Sequence, residues 1–148
     1  MKSPASRIPA LVKAQHQELL GDWMKAQLAS AALRPDLLKE SELREQSRVF
    51  LTAFQAALQK SPLDDIGDEG WSAVKGMLGE LSRSRAQAGF SPAETATFVL
   101  SLKQPLFERL RAELKGDADA LADETWRATV LLDKLALYTT EVFQQTRE

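Results

Sequence analysis

The sequence predicts an all-α domain, a bundle or a globin-like packing of about five to six helices. Strand-like alternation is missing along the 148 residues, and residues that favour helices, such as Ala, Leu, Gln, Glu, Lys and Arg, are abundant. An apolar fraction of 44% and a charged fraction of 27% are typical of a globular chain. We therefore expect residues 1–148 to form a single helical domain with its own core.

The composition also excludes several classes of function. The net charge is −2 with both signs interspersed, so neither a nucleic acid nor an anionic membrane surface is an expected partner. The chain has no cysteine, which excludes disulfides, thiol catalysis and thiolate metal sites. Neither a signal peptide nor a run of about 20 apolar residues is visible. We expect a soluble, cytoplasmic protein.

Apolar residues at helical spacing, interrupted by Pro, Gly and Asp, locate the elements. Residues 1–8 are expected to be a loose N-terminus. The predicted helices cover about 9–31, 42–59, 69–88, 92–115 and 118 to beyond 140. Residues 61–70 are rich in Pro, Asp and Gly and are predicted to be a loop. Pro105 lacks the N–H that would donate to the Ser101 carbonyl, so we expect it to kink the fourth helix there.

The clearest helix start in the chain lies within residues 82–95, which read SRSRAQAGFSPAET. Ser91 and Glu94 form an S-x-x-E capping box, and Pro92 occupies the first helical position. Gly89 can take the left-handed conformation that ends the preceding helix. Phe90 precedes the cap, where it is expected to pack onto the first turns of the new helix. These features predict a helical hairpin, and by themselves they indicate no function.

The last predicted helix carries two apolar faces. On a helical wheel a broad arc contains Ala128, Leu131, Leu132, Leu135, Ala136, Tyr138, Val142 and Phe143. Trp126, Val130 and Leu137 form a second ridge, separated from this arc by polar strips. Packing on one core needs only the arc. The ridge is covered either by another helix of the same chain or by a symmetry mate, which would make the protein a homodimer through its C-terminal helices.

Side chains that could carry chemistry are few. His16 is the only histidine, and we interpret it as a packed or half-exposed helix residue rather than a haem ligand or general base. Acidic residues crowd positions 64–69 without EF-hand spacing, which indicates a solvated loop. Arg83 and Arg85 are expected to interact favourably with the helix dipole or to pair with carboxylates such as Glu80 or Glu94, with an anion site as the alternative. The sequence predicts no enzyme, no metal and no bound cofactor.

Residues 82–102 (SRSRAQAGFSPAETATFVLSL), continued by Lys103, resemble the hallmark segment of the N-terminal sensor domain of RsbR-type stressosome proteins. Weaker similarity at 19–27, 43–58 and 131–137 extends the resemblance over most of the chain from about residue 15. The residues that carry the motif are Ser82, Arg83, Ser84, Arg85, Gly89, Phe90, Ser91, Pro92, Glu94 and Thr95.

The resemblance implies a globin-like domain without haem that forms a dimer. It also implies an output STAS domain, acting with scaffold and kinase proteins in a bacterial stress-response cascade. The chain stops at Glu148 without a STAS domain, so we expect an excised sensor domain or a protein that lacks its output module. The resulting hypothesis is a non-enzymatic signal-input and dimerisation domain. The alternatives are a globin-like sensor that binds haem through His16, a bilin or a fatty acid, and a ligand-free assembly module.

Overall fold

The computed structural model describes residues 5–30 and 33–146, and all regular secondary structure within those ranges is helical. This confirms the predicted all-α fold class. The α-helices are α1 (Ile8–Ala14), α2 (His16–Leu28), α3 (Glu40–Leu58), α4 (Ser72–Ala88), α5 (Pro92–Leu100), α6 (Lys103–Glu113) and α7 (Ala118–Thr146). A 3-10 turn, Glu69–Trp71, leads from the predicted loop into α4.

The first predicted helix is in fact two helices, α1 and α2, separated at Gln15. The Gln15 backbone leaves the helical region with φ −115° and ψ 28°. Its side chain accepts a hydrogen bond from Arg109 Nη1 of α6 at 2.9 Å, a contact between residues far apart in sequence. The prediction of one helix over 9–31 is therefore wrong at Gln15. It also runs past the end of α2 at Leu28, and residue 31 lies outside the described residues.

The fourth predicted helix is also two helices, because the chain leaves the α-helix at Ser101 and Leu102. The Leu102 N–H donates to the Val99 carbonyl at 3.1 Å, a contact one residue shorter than the α-helical spacing. Pro105 is the third residue of α6, where its missing N–H costs no helical bond. An interruption near Pro105 is confirmed, but it is a break between two helices one turn before the proline and not a kink within one helix.

The N-terminal segment is fixed to the rest of the fold from an earlier residue than predicted. The Ser6 hydroxyl and the Arg7 backbone N–H both donate to Glu124 Oε2 of α7. Ser6 Oγ also accepts the Ile8 N–H at 3.1 Å, and Ile8 is fully buried. The expected loose terminus of residues 1–8 is thus wrong for residues 6–8, and residues 1–4 lie outside the described part of the chain. The buried Glu124 carboxylate of α7 therefore holds residues 6 and 7 in place.

The long helix α7 packs against α4, α5 and α6, and α3 contacts α1, α2 and α4. The apolar arc predicted on α7 is buried apart from Tyr138, which is half-buried. Three aromatic rings from three helices meet in the core: Trp23 lies 5.5 Å from Phe50 and 5.0 Å from Phe98, centroid to centroid. Phe50 and Phe98 lie 5.8 Å apart in an edge-on arrangement. Such contacts stabilise the meeting of α2, α3 and α5 by about 0.5–1.5 kcal/mol each beyond area burial.

Candidate functional site

The hairpin between α4 and α5 is built as its sequence predicts. Gly89 adopts φ +106°, and the N–H groups of Gly89 and Phe90 donate to the Arg85 carbonyl at 3.1 and 2.9 Å. The Ser91 hydroxyl accepts the Glu94 N–H at 3.1 Å, and the Glu94 carboxylate accepts the Ser91 N–H at 2.7 Å. Both halves of the capping box are present, so the direction in which α5 leaves the turn is fixed locally.

The motif residues of this hairpin divide between the interior and the surface. The buried members are Ser82, Arg85, Phe90 and Thr95, the half-buried ones are Pro92 and Glu94, and the exposed ones are Arg83, Ser84, Gly89 and Ser91. The hydroxyl oxygens of Ser82 and Thr95 are buried without a hydrogen-bond partner, which is uncommon for interior polar groups. A turn and a cap need no buried polar side chains, so the local signals of the hairpin do not account for the burial of Ser82 and Thr95.

Arg85 occupies an unusual environment for a charged residue. Its side chain is 4% exposed, and its guanidinium carbon lies 4.8 Å from the Phe90 ring centroid and 4.9 Å from that of Phe98. Nη2 donates to Gln46 Oε1 at 2.9 Å, whereas Nε has no partner. Burial lowers the pKa of Arg85 to about 10, so the side chain remains charged at neutral pH. No carboxylate of the described residues pairs with it.

Glu94 pairs with Arg34 rather than with an arginine of the motif. Arg34 lies in the loop between α2 and α3, and its Nη1 approaches Glu94 Oε2 at 3.2 Å while its Nη2 approaches Asp36 at 2.9 Å. The expectation that Arg83 or Arg85 pairs with Glu94 is wrong, because this loop brings a third arginine to it. The Ser91 N–H, and then Arg34, hold the pKa of Glu94 below its ordinary value.

A small cavity of about 20 Å³, partly open to solvent, lies beside Arg85 between α2, α4 and α5, and Leu33 and Phe98 form its apolar wall. Its polar wall comprises Gln27, Ser30, Arg85, Glu94, Thr97 and Ser101. This volume accommodates one or two water molecules or a small ion, by the measure of about 10–15 Å³ for a water. The cavity adjoins the aromatic core, because Trp23 Nε1 donates to Ser101 Oγ at 2.8 Å. The sequence left an anion site at Arg83 and Arg85 as an alternative but did not predict that Arg85 is buried, although the spacing of Val74, Leu78, Leu81 and Arg85 puts the arginine on the apolar stripe of α4.

The second apolar ridge of α7 lies on the surface of the chain. Trp126 is 69% exposed and Leu137 is 63% exposed, and Val130 is half-buried. The interpretation in which another helix of the same chain covers the ridge is wrong for Trp126 and Leu137. Contiguous exposed apolar patches mark interaction surfaces, whereas single exposed apolar side chains are common, so the ridge matters only together with its apolar surroundings.

A groove runs beside the ridge, between α5 and α7. It has a volume of about 280 Å³ and is lined by Ala96, Leu100, Asp133, Ala136, Leu137 and Thr140. Leu137 belongs to both the groove and the ridge, so the two form one continuous surface. Below we call this surface, the ridge residues together with the groove, the α7 surface. Most of its lining is apolar, with Asp133 as its one charged residue among those described, paired to Lys103 of α6.

Other candidate residues have ordinary surroundings. His16 is half-buried at the start of α2, and its Nδ1 has no hydrogen-bond partner. In the acidic loop, Asp65 accepts the Gly67 N–H and Asp68 accepts the Gly70 N–H, both at 2.9 Å. Within residues 5–30 and 33–146, no group of three or more His, Asp or Glu side chains is placed to hold a metal ion. Among the same residues, no helix is both long enough and apolar enough to cross a membrane.

The fold and these surfaces define an all-α domain with a buried arginine and an apolar surface on its last helix. Residues 17–148, from α2 through α7, match the family model of the RsbT co-antagonist protein rsbRD N-terminal domain. The chain therefore belongs to this family, the N-terminal domains of RsbR-like stress-response co-antagonists, as the resemblance of the hairpin motif predicted. Comparisons with curated proteins and with solved structures gave no match.

Proposed function

We propose that this chain is the signal-input and dimerisation domain of an RsbR-type regulator of a bacterial stress response, and that it acts through α7. The family assignment supports the regulatory role, and the exposed Trp126 and Leu137 support dimerisation. In this proposal the domain is globin-like, works in the cytoplasm, and catalyses no reaction. Through an output STAS domain it acts with scaffold and kinase proteins, in the partner-switching pathway that involves RsbT.

The proposed homodimer forms when the α7 surfaces of two copies meet around a two-fold axis. In such an interface the same patch serves both subunits, so each apolar side chain counts twice. Burying one Trp126 and one Leu137 per subunit contributes about 1.5–3 kcal/mol for each side chain. Four such side chains, together with the flanking groove, are a sufficient apolar centre for an interface between two bundles.

The proposed relay uses the contacts of α7 with the rest of the fold. An input that changes the packing of α5 or α6 reaches α7 directly, because both helices pack on it and Lys103 of α6 pairs with Asp133 of α7. The break at Ser101 and Leu102 allows α5 and α6 to move as separate pieces. A coupling of about 1–3 kcal/mol between input and α7 is enough to bias an output.

Substitution of the ridge tests the dimer, which is the physical basis of the proposal. Trp126→Glu combined with Leu137→Glu places four carboxylates in the interface, so multi-angle light scattering should give the mass of one chain. Val49→Glu is the matched control, since Val49 is 38% exposed on α3, a helix that is not among the main packing partners of α7. It should leave the dimer intact. A double variant that stays dimeric, with a native helical circular dichroism spectrum, would refute the assigned interface.

The same preparations test the ligand-binding alternatives. A sensor that carries haem through His16, or a bilin, gives a coloured protein or a Soret band after haem addition, and a fatty acid appears as a mass adduct in native mass spectrometry. A colourless protein without an adduct would exclude haem, a bilin and a fatty acid as the bound ligand, and a coloured protein or an adduct would favour the ligand-binding sensor.

A further inference from the structure

We infer that the cavity beside Arg85 binds one small monovalent anion, of the class of a halide, nitrate or formate, with the Arg85 guanidinium as its cationic partner. The inference concerns the fold of a single chain and is independent of the proposed dimer and relay. It rests on the charge balance, the hydrogen bonds and the size of the cavity.

The charge balance around Arg85 is incomplete. An arginine that is 4% exposed is normally paired with a carboxylate or another anion, because removal of a charge from water is costly. The rings of Phe90 and Phe98 stabilise the cation through its faces, which leaves its N–H groups at the edge. Of these, Nη2 donates to Gln46, an uncharged amide, and Nε donates to nothing. Nε is closed off from solvent, so an anion in the cavity approaches the Nη end of the guanidinium, where a negatively charged acceptor balances the site.

The other charged group in the wall does not supply that balance. Both oxygens of Glu94 lie 3.2–3.3 Å from Arg34 Nη1, and Oε1 also accepts the Ser91 N–H at 2.7 Å. The charge of Glu94 is therefore compensated by Arg34 of the loop and by the Ser91 N–H at the start of α5. This arrangement limits its repulsion of an anion held at Arg85, and it leaves Arg85 as the cation without a counter-charge.

The size and lining of the cavity restrict the ligand. A volume of about 20 Å³ excludes a nucleotide, a lipid or a tetrapyrrole, and it fits a monatomic or few-atom ion. The hydroxyls of Thr97 and Ser101 already donate to the carbonyls of Ala93 and Phe98. Arg85 is thus the group that determines the charge of what binds, and the ligand it selects is a single small anion.

Thermal unfolding of the whole chain in different sodium salts tests the site. The salts are bromide, nitrate, formate and gluconate at equal ionic strength; gluconate is too large for the cavity and serves as the reference. An anion bound with a Kd of about 10 mM raises the ratio of folded to unfolded protein about tenfold at 100 mM. We expect a higher unfolding midpoint in the small anions than in gluconate, by roughly 5 °C for a chain of this length. The order among the three identifies the preferred ion.

Arg85→Met should abolish this difference, and Arg83→Met should preserve it. Arg83 lies two positions earlier on the same helix with its side chain exposed, so the two variants lose the same charge. If Arg85→Met does not fold, bromide in crystals of the unaltered protein gives the answer by anomalous scattering. An anomalous peak within hydrogen-bonding distance of the Arg85 guanidinium supports the site. The anion site is refuted if the unfolding midpoints in bromide and gluconate are equal, or if the two variants respond equally to the salts. It is also refuted if the cavity holds only water in the bromide crystals.

Discussion

Glu124 offers the sharpest test of how the N-terminal segment is held on α7. The carboxylate is 3% exposed and accepts three hydrogen bonds, two at Oε2 from Ser6 and Arg7 and one at Oε1 from Arg127. In Glu124→Gln the shape is kept, but the new amide NH₂ group must face one of these donors. A hydrogen bond to a charged group contributes about 1.5–3 kcal/mol, so we expect a loss of about 2–3 kcal/mol in the free energy of unfolding.

The loss should appear as a fall of roughly 5–10 °C in the thermal midpoint, since 1 kcal/mol corresponds to about 2–4 °C at this size. Hydrogen exchange should also show faster exchange of the Arg7 amide, because that N–H loses its charged acceptor. Glu141→Gln is the matched control: the residue is exposed on the same helix, and a change within about 0.5 kcal/mol is expected. If Glu124→Gln has the same thermal midpoint as Glu141→Gln, the anchoring assigned to the buried carboxylate is wrong.

Two further predictions concern the hairpin. Gly89→Ala should destabilise the protein by about 1–2 kcal/mol because φ is +106°, whereas Gly76→Ala, within α4 and facing open space, should stabilise it by about 0.5–1 kcal/mol. Urea unfolding of both variants checks these opposite signs, and equal signs would contradict the geometry. The Ser91 N–H, and then Arg34, lower the pKa of Glu94, so the ionised carboxylate stabilises the folded protein above the unfolded pKa of about 4.3. This stabilisation is lost as the pH falls through the lower pKa of the folded protein. Arg34→Met should therefore reduce the loss of urea resistance between about pH 5 and pH 3, and an unchanged pH profile would show that the pair has no energetic role.

Local signals predicted the hairpin well, because its determinants lie within a few residues of one another. Ser91 and Glu94 satisfy each other across one helical turn, and Gly89 relieves a backbone strain at its own position. Pro105 likewise predicted an interruption between α5 and α6. The break at Gln15 gives no such signal, because residues 13–17 (KAQHQ) all tolerate a helix and the contact that accompanies the break comes from Arg109.

The burial of Arg85 and Glu124 was not predicted from the sequence for a related reason. Arg85 and Glu124 both occupy positions on apolar stripes, where their spacing from neighbouring Leu and Ala residues places them inside. Residue type alone favours the surface for Arg and Glu, and that preference outweighed the periodicity. Their partners, Gln46 on α3 and Ser6 near the N-terminus, are distant in sequence, so only the packed fold identifies them.

The central claim is that the ridge of α7 is apolar because a second copy of the chain covers it. Sedimentation equilibrium of the unaltered protein over a range of concentrations tests this most directly. We expect a species of twice the chain mass of 16.4 kDa. A single species at the mass of one chain, up to concentrations of about 100 µM, would contradict the claim, since an interface of two bundles with a buried apolar centre should form well below that concentration.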